Sequence, residues 1–370
     1  MDVFSRRRML ELLGGAAILS GTLDSVLAGQ PDKGSGAGLY LTACTRPGGH
    51  HGGAILSGDG EFVVEFELPG RGHGAALRPG GADAVVFARR PGTFALVLDP
   101  ASGAARSLIT ARADRHFYGH GCFSVDGGIL YAAENDFDGE RGAIGLYDAK
   151  DGYRRIGEFT SHGIGPHEIT LMADQRTLLV ANGGILTHPD SDRIKLNPAD
   201  MEPSVVLMDA ADGTLIAKYE PPKELRQLSL RHIDASPDGH VVAVAQWEGA
   251  MLEQPPLVAV VDHGRGLRFN AAPSRVVPRM RNYCGSVTYS TDGENFAVSS
   301  PRGGVVTFWD CEGNYLSAFE LEDTCGVAAS GNGFLLTSGL GVVTAAGENS
   351  APLRRHQGVA FDNHLIPIRI

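Results

Sequence analysis

The chain has 370 residues, a net charge of -11, 50 glycines, 13 histidines and five cysteines. Its acidic balance argues against a nucleic-acid partner, which would need clustered Lys and Arg to meet phosphates. Five cysteines are too few for a disulfide scaffold, and the glycine content argues for many turns rather than long helices.

In chain order, the first element is Ser5-Arg6-Arg7-Arg8-Met9-Leu10 followed by an apolar stretch that ends at Val26-Leu27-Ala28. This is the arrangement of a twin-arginine export signal, with residues 1–28 removed after Ala28 and the mature protein delivered folded to the periplasm. Glu11, Gly14, Gly15 and Asp24 interrupt the apolar stretch, so no membrane span is expected once the signal is cleaved. Residues 29–37 read as a flexible linker, and residues 38–370 as one domain.

Short apolar runs then recur through the whole domain: AVVFAR (84–89), ILYAAE (129–134), TLLVAN (177–182), VVAVAQ (241–246), FAVSS (296–300) and FLLTSG (334–339). Each follows a turn, among them SVDG, MADQ, SPDG and STDG, whose Asp and Gly suit tight hairpins. Each precedes a further strand that usually ends in Asp and then Gly, as in LMDAADG (207–213). A four-stranded antiparallel unit repeated every 40–50 residues predicts an all-β, seven-bladed propeller. The segment HLIPIRI, starting at His364, has no hairpin partner downstream, whereas LYLTAC, GAILSG and EFVVEFEL have no first strand upstream. The C-terminal strand is therefore expected to close the N-terminal blade, removing exposed sheet edges.

GPHEITLMADQRTLLVANGG (residues 165–184 with the preceding glycine turn) resembles the repeats of YVTN-type and WD40-like propellers. The twin-arginine start, the GPHE segment, the GGILTHPDSDRIKLN insertion and the terminal FDNH resemble a family of uncharacterised exported bacterial proteins. Its members tend to be encoded near periplasmic iron-uptake components. The resemblance implies a setting among metal-uptake or redox proteins, not a reaction.

Aligning the repeats places one residue just before each innermost strand: His73, His120, His167, His232, Cys284, Cys325 and His364. Seven equivalent positions around one channel, five of them His and two Cys, predict a transition-metal or metallocofactor site. Imidazole and thiolate favour Cu or Fe, with Zn or an axially held haem also compatible. The propeller of nitrous-oxide reductase, whose copper cluster sits on histidines from successive blades, is similar in architecture only, because this chain has no second domain and two positions are Cys. A purely structural ring of hydrogen-bonded imidazoles is the competing use of these positions, and Cys284 and Cys325 on adjacent blades could instead pair. By strand alternation, Glu168 is expected to turn away from the channel.

Loops on the same face are expected to bring His50, His51, Arg89, Glu134, Asn182, Trp247 and Arg302 to the funnel, with His188 and Lys195 on an insertion that folds over it. No nucleophile elbow, paired-carboxylate pattern, phosphate loop or dinucleotide fingerprint occurs, so whether the protein is an enzyme stays open. The functional expectation is a monomeric periplasmic metal-binding propeller; an interaction platform and a lactonase-like hydrolase on the same fold are the alternatives.

Overall fold

In the computed structural model, which describes residues 38–191, 194–331, 333–346 and 352–368, seven antiparallel sheets follow one another along the chain. The expected signal (1–28) and linker (29–37) lie outside these residues. The inner strands of six blades are Gly72–Leu77, Arg115–Phe123, Pro166–Leu171, Leu228–Ala235, Ser286–Tyr289 and Thr324–Ser330. Each pairs with the strand after it, and two more strands complete each of these blades outward. Among the described residues, no helix is long and apolar enough to cross a membrane.

The N-terminal blade is closed from the other end of the propeller, as its unpartnered strands require. Leu39, Tyr40 and Leu41 pair with Ile368, Pro367 and Ile366, and Cys44 and Thr45 pair with Phe361 and Ala360. Between these two pairings the chain leaves the ladder at Asp362, Asn363 and His364, which turn toward the axis.

The turns show why their sequences recur. The Ser124, Ser236 and Ser290 hydroxyls accept the backbone N–H of Ile129, His240 and Asn295, four or five residues on. Gly239 and Gly293 take φ of 87° and 77°, a region that L side chains avoid. Strands second from the axis are covered on both faces by neighbouring blades, so Ala84–Ala88 and Thr177–Asn182 are buried throughout. That is why they read as unbroken apolar runs. Outer strands such as Arg154–Thr160 alternate in exposure because one face meets water.

The inner strands are not regular where they pass the axis. Pairing slips by one residue between Gly72 and Ala75, Pro166 and Glu168, Leu230 and His232, and Thr324 and Val327, and it slips between Phe117 and Gly121 as well. A β-bulge leaves a residue outside the ladder and re-aims the side chains around it. Five blades therefore carry a bulge at or next to the position predicted to face the channel.

Candidate metal centre

Four of the bulges, with the closing segment that carries His364, bring five imidazoles to one place. The rings of His73, His120, His167, His232 and His364 lie 4.5 to 6.4 Å apart, centroid to centroid, in nine pairings. Burial holds all five below the ordinary histidine range, and repulsion from neighbouring imidazolium charge pushes His120, His232 and His364 further down. They are consequently neutral at pH 7, which is the form that ligates metals.

Three of their nitrogens have no hydrogen-bond partner although buried: His120 Nε2, His167 Nδ1 and His364 Nε2. Leaving a buried polar nitrogen unpaired costs about 1–3 kcal/mol, so three at one point need a physical reason. The other two rings are held by carboxyl groups. His73 Nδ1 donates to Asp362 Oδ1 at 2.8 Å and His232 Nδ1 to Glu168 Oε2 at 2.9 Å, leaving Nε2 of each ring as its remaining lone pair. A carboxylate behind an imidazole fixes tautomer and orientation, as it does behind metal-bound histidines.

Glu168 corrects the expectation from alternation. The bulge at His167 places consecutive residues on the same side, so Glu168 points inward with it. Its Oε1 lies 3.4 Å from His120 Nδ1, while Oε2 also accepts the Ile233 backbone N–H at 3.3 Å. Burial pushes its carboxyl up to about 8, so at neutral pH the contact with His120 is one between neutral groups rather than an ion pair. Glu168 then completes one of two groups of donor atoms within 4.8 Å of one another: His120, Glu168, His232 and His364, and separately His73, His120 and His167. His120 belongs to both.

Cys284 and Cys325 stand outside both groups. Cys284 is fully buried in the apolar core between two blades, where burial pushes its thiol up to about 12. The Cys325 thiol donates to the Asp323 carbonyl at 3.2 Å, and burial raises it as well. Both are free thiols, so the disulfide between them that the sequence left open is not formed. The donor set of the described residues is thus His and Glu rather than His and Cys.

Above the imidazoles opens a cavity of about 330 Å³ whose floor includes His73, His167 and His232. Arg89, Trp247 and Arg302 reach it as expected, and so does Lys195 from the insertion. Arg231, Tyr118, Tyr283 and Asn363, which the sequence pattern did not single out, line it too.

The remaining predicted residues are engaged elsewhere. The strand Ile129–Asp136 continues past Glu134, whose carboxylate is fully buried and accepts from Tyr147 Oη and Arg155 inside its own blade. Asn182 donates to Ser161 O and Ser204 Oγ, joining two blades. His188 stacks edge-on against Phe137 and lies 3.5 Å from Asp138. His50 and His51 are drawn into the ladder opposite Arg46 and Thr45, with His51 Nδ1 3.3 Å from Thr45 Oγ1. None of these five lines the cavity.

Fold and site together define a seven-bladed β-propeller with possible His/Glu metal-ligand clusters at the inner end of a basic funnel. Residues 66–368 match the family described as a protein of unknown function (DUF1513), and the chain belongs to that family. A search of curated protein sequences gave no significant match. Among solved structures, hydrazine synthase of Kuenenia stuttgartiensis is similar with a TM-score of 0.59 and 14% identity, over 91% of this chain and 100% of that one. At that identity the likeness is one of fold.

Proposed function

We propose that this propeller binds a first-row transition metal on its inner histidines and serves metal handling or redox chemistry outside the cytoplasm. The observation that carries the reading is the convergence of five neutral imidazoles, three with an unpaired buried nitrogen, in two donor groups that share His120, one of them completed by the Glu168 carboxyl. A structural ring would be expected to satisfy those nitrogens with one another or with the backbone. Replacement of thiolates by a carboxylate favours iron ahead of copper, since two or three imidazoles with one carboxylate suit iron(II) and leave positions open to a ligand. Zinc fits the same donors. The imidazole rings pack edge to face against each other, a spacing that leaves no room for a haem between them.

The twin-arginine pattern supports export in the folded state, with the ion already bound, and a place in the periplasm beside metal-uptake or redox proteins. The protein works there as a monomer. The test is elemental analysis of full-length protein exported by its own signal, beside His120→Ala, which removes the donor shared by both groups. Near-stoichiometric metal in the parent and its loss in a folded variant are expected. Metal-free parent protein that also fails to take up iron, copper or zinc overturns the reading.

A further inference from the structure

The cavity above the histidines has a chemistry of its own. Arg89, Arg231, Lys195 and Arg302 all line it, in a chain whose overall charge is -11. Two carboxylates answer them. Arg89 lies 3.3 Å from both oxygens of Asp362, which Arg71 also contacts at 2.7 Å. Arg231 lies 3.3 Å from Glu248, which Lys195 contacts as well. Arg302 faces a ring rather than an acid, its guanidinium 4.2 Å from the centre of Tyr283. Three of the four lining cations therefore share two carboxylates, one of which also meets Arg71, while Arg302 lies against the Tyr283 ring.

Like charges gathered in a concave, low-dielectric site repel one another, and the arrangement is relieved when an anion enters. Several guanidinium groups converging from different blades offer paired N–H donors that match the two oxygens of a carboxylate. Trp247 and Tyr283 supply apolar faces for a carbon skeleton between the charges. The volume exceeds what a single inorganic oxyanion fills, and the floor is made of His73, His167 and His232.

We propose that the funnel binds a small organic polycarboxylate, a di- or tricarboxylic acid, with its carboxylates on Arg302, Arg231 and Arg89 and one end directed at the imidazole ring. This deepens the metal-binding reading by naming the class of molecule that meets the ion, and it rests on that reading only for the ligand's role. Binding itself needs no metal, because the arginines are supplied by the chain.

The experiment uses full-length protein stripped of metal by a chelator that is then removed by dialysis. Citrate, succinate, inorganic phosphate and glucose are titrated in turn, followed by calorimetry and by fluorescence. Trp247 lines the cavity while Trp309 is buried in its blade, so Trp247 reports entry. Citrate is expected to bind with an affinity that falls with added salt, and Arg302→Gln should weaken it roughly tenfold, the scale of one charge-assisted contact. Arg302 is exposed on a short turn, so this variant retains the fold and the metal content of the parent. Absence of citrate binding, equal affinity in Arg302→Gln, or binding of phosphate or glucose as tight as citrate overturns the proposal. Citrate binding to a protein that never takes up metal leaves it standing and removes only the metal-site reading.

Discussion

Asp362→Asn tests how the ring and the site depend on each other. Asp362 lies between the two segments that close the N-terminal blade, and its side-chain partners sit on the next blade or the connection leading to it. Oδ1 accepts from His73 Nδ1 at 2.8 Å and from the Asn363 N–H at 2.9 Å, while Oδ2 accepts from Arg71 Nε at 2.7 Å. Burial alone would raise this carboxyl, but the His73 hydrogen bond and the charges of Arg89 and Arg71 hold it far below the usual range. Asparagine keeps one acceptor and turns an NH₂ toward the other set of donors, so either His73 or the arginines lose their partner. Breaking a buried charged pair costs about 3–5 kcal/mol. The lower end applies because the Arg71 side chain is 50% exposed and recovers water, which gives about 3 kcal/mol. Loss of the group that fixes the His73 tautomer should weaken metal binding roughly 10–100-fold. Denaturant unfolding of the metal-free protein reads the first effect, and competition with a chelator of known affinity reads the second. If stability falls while metal affinity stays within about twofold, Asp362 is a blade latch with no part in orienting His73, and the account of that ring is wrong.

Three further outcomes are expected. Cys284→Ala and Cys325→Ala should each leave metal stoichiometry unchanged and cost about 1–2 kcal/mol through lost packing; loss of metal by elemental analysis in either would return the thiols to the donor set. Gly74→Ala would bring a Cβ within 2.8 Å of His120 Nδ1 and 2.7 Å of the Gly119 carbonyl, so a folded variant should bind metal at least roughly tenfold more weakly as His120 is displaced. Glu158 is raised by burial but lowered more by hydrogen bonds from Arg141 and Arg155 and the charge of Arg115, to about 2. A depressed carboxyl stabilises the fold above its unfolded value and loses that contribution as pH falls through its folded value. Glu158→Gln should therefore cost about 1–2 kcal/mol at pH 7, after allowing for solvent screening, and the gap to the parent should close between about pH 4.5 and 2 in denaturant titrations.

The blades were legible because each depends on local chemistry: a Ser or Asp at a turn, a glycine at positive φ, an apolar run beneath two neighbours. Five of the seven inner positions were legible for the same reason, since the turns fix the register. Bulges were not, and they decide direction. Yet a signal was present. The residue after the inner position is glycine four times, at Gly74, Gly121, Gly285 and Gly326, where the backbone needs close approach. Glu168 stands at that place in its own blade, the one charged residue to do so. The cysteines misled for different reasons: Ser286–Tyr289 begins without a slip in pairing, so Cys284 stays among core side chains, whereas Cys325 sits at a slip but its thiol is taken up by the Asp323 carbonyl. His51 misled because its strand begins at His50, earlier than the turn motifs indicated, and His188 because the insertion packs it against Phe137. Arg231 was passed over because it precedes a predicted donor, and the same local slip turns it upward into the cavity.

The closure of the first blade by a later segment also sets an order of events during synthesis. His364 leaves the ribosome after six of the blades have been made, and Asp362 only just before it. Until that segment threads back beside Leu39–Arg46, His73 lacks its carboxylate and the four-donor group lacks a member. A partly made chain thus offers an ion a few scattered imidazoles, and full capture becomes a signal that the last seam of the protein has been sewn.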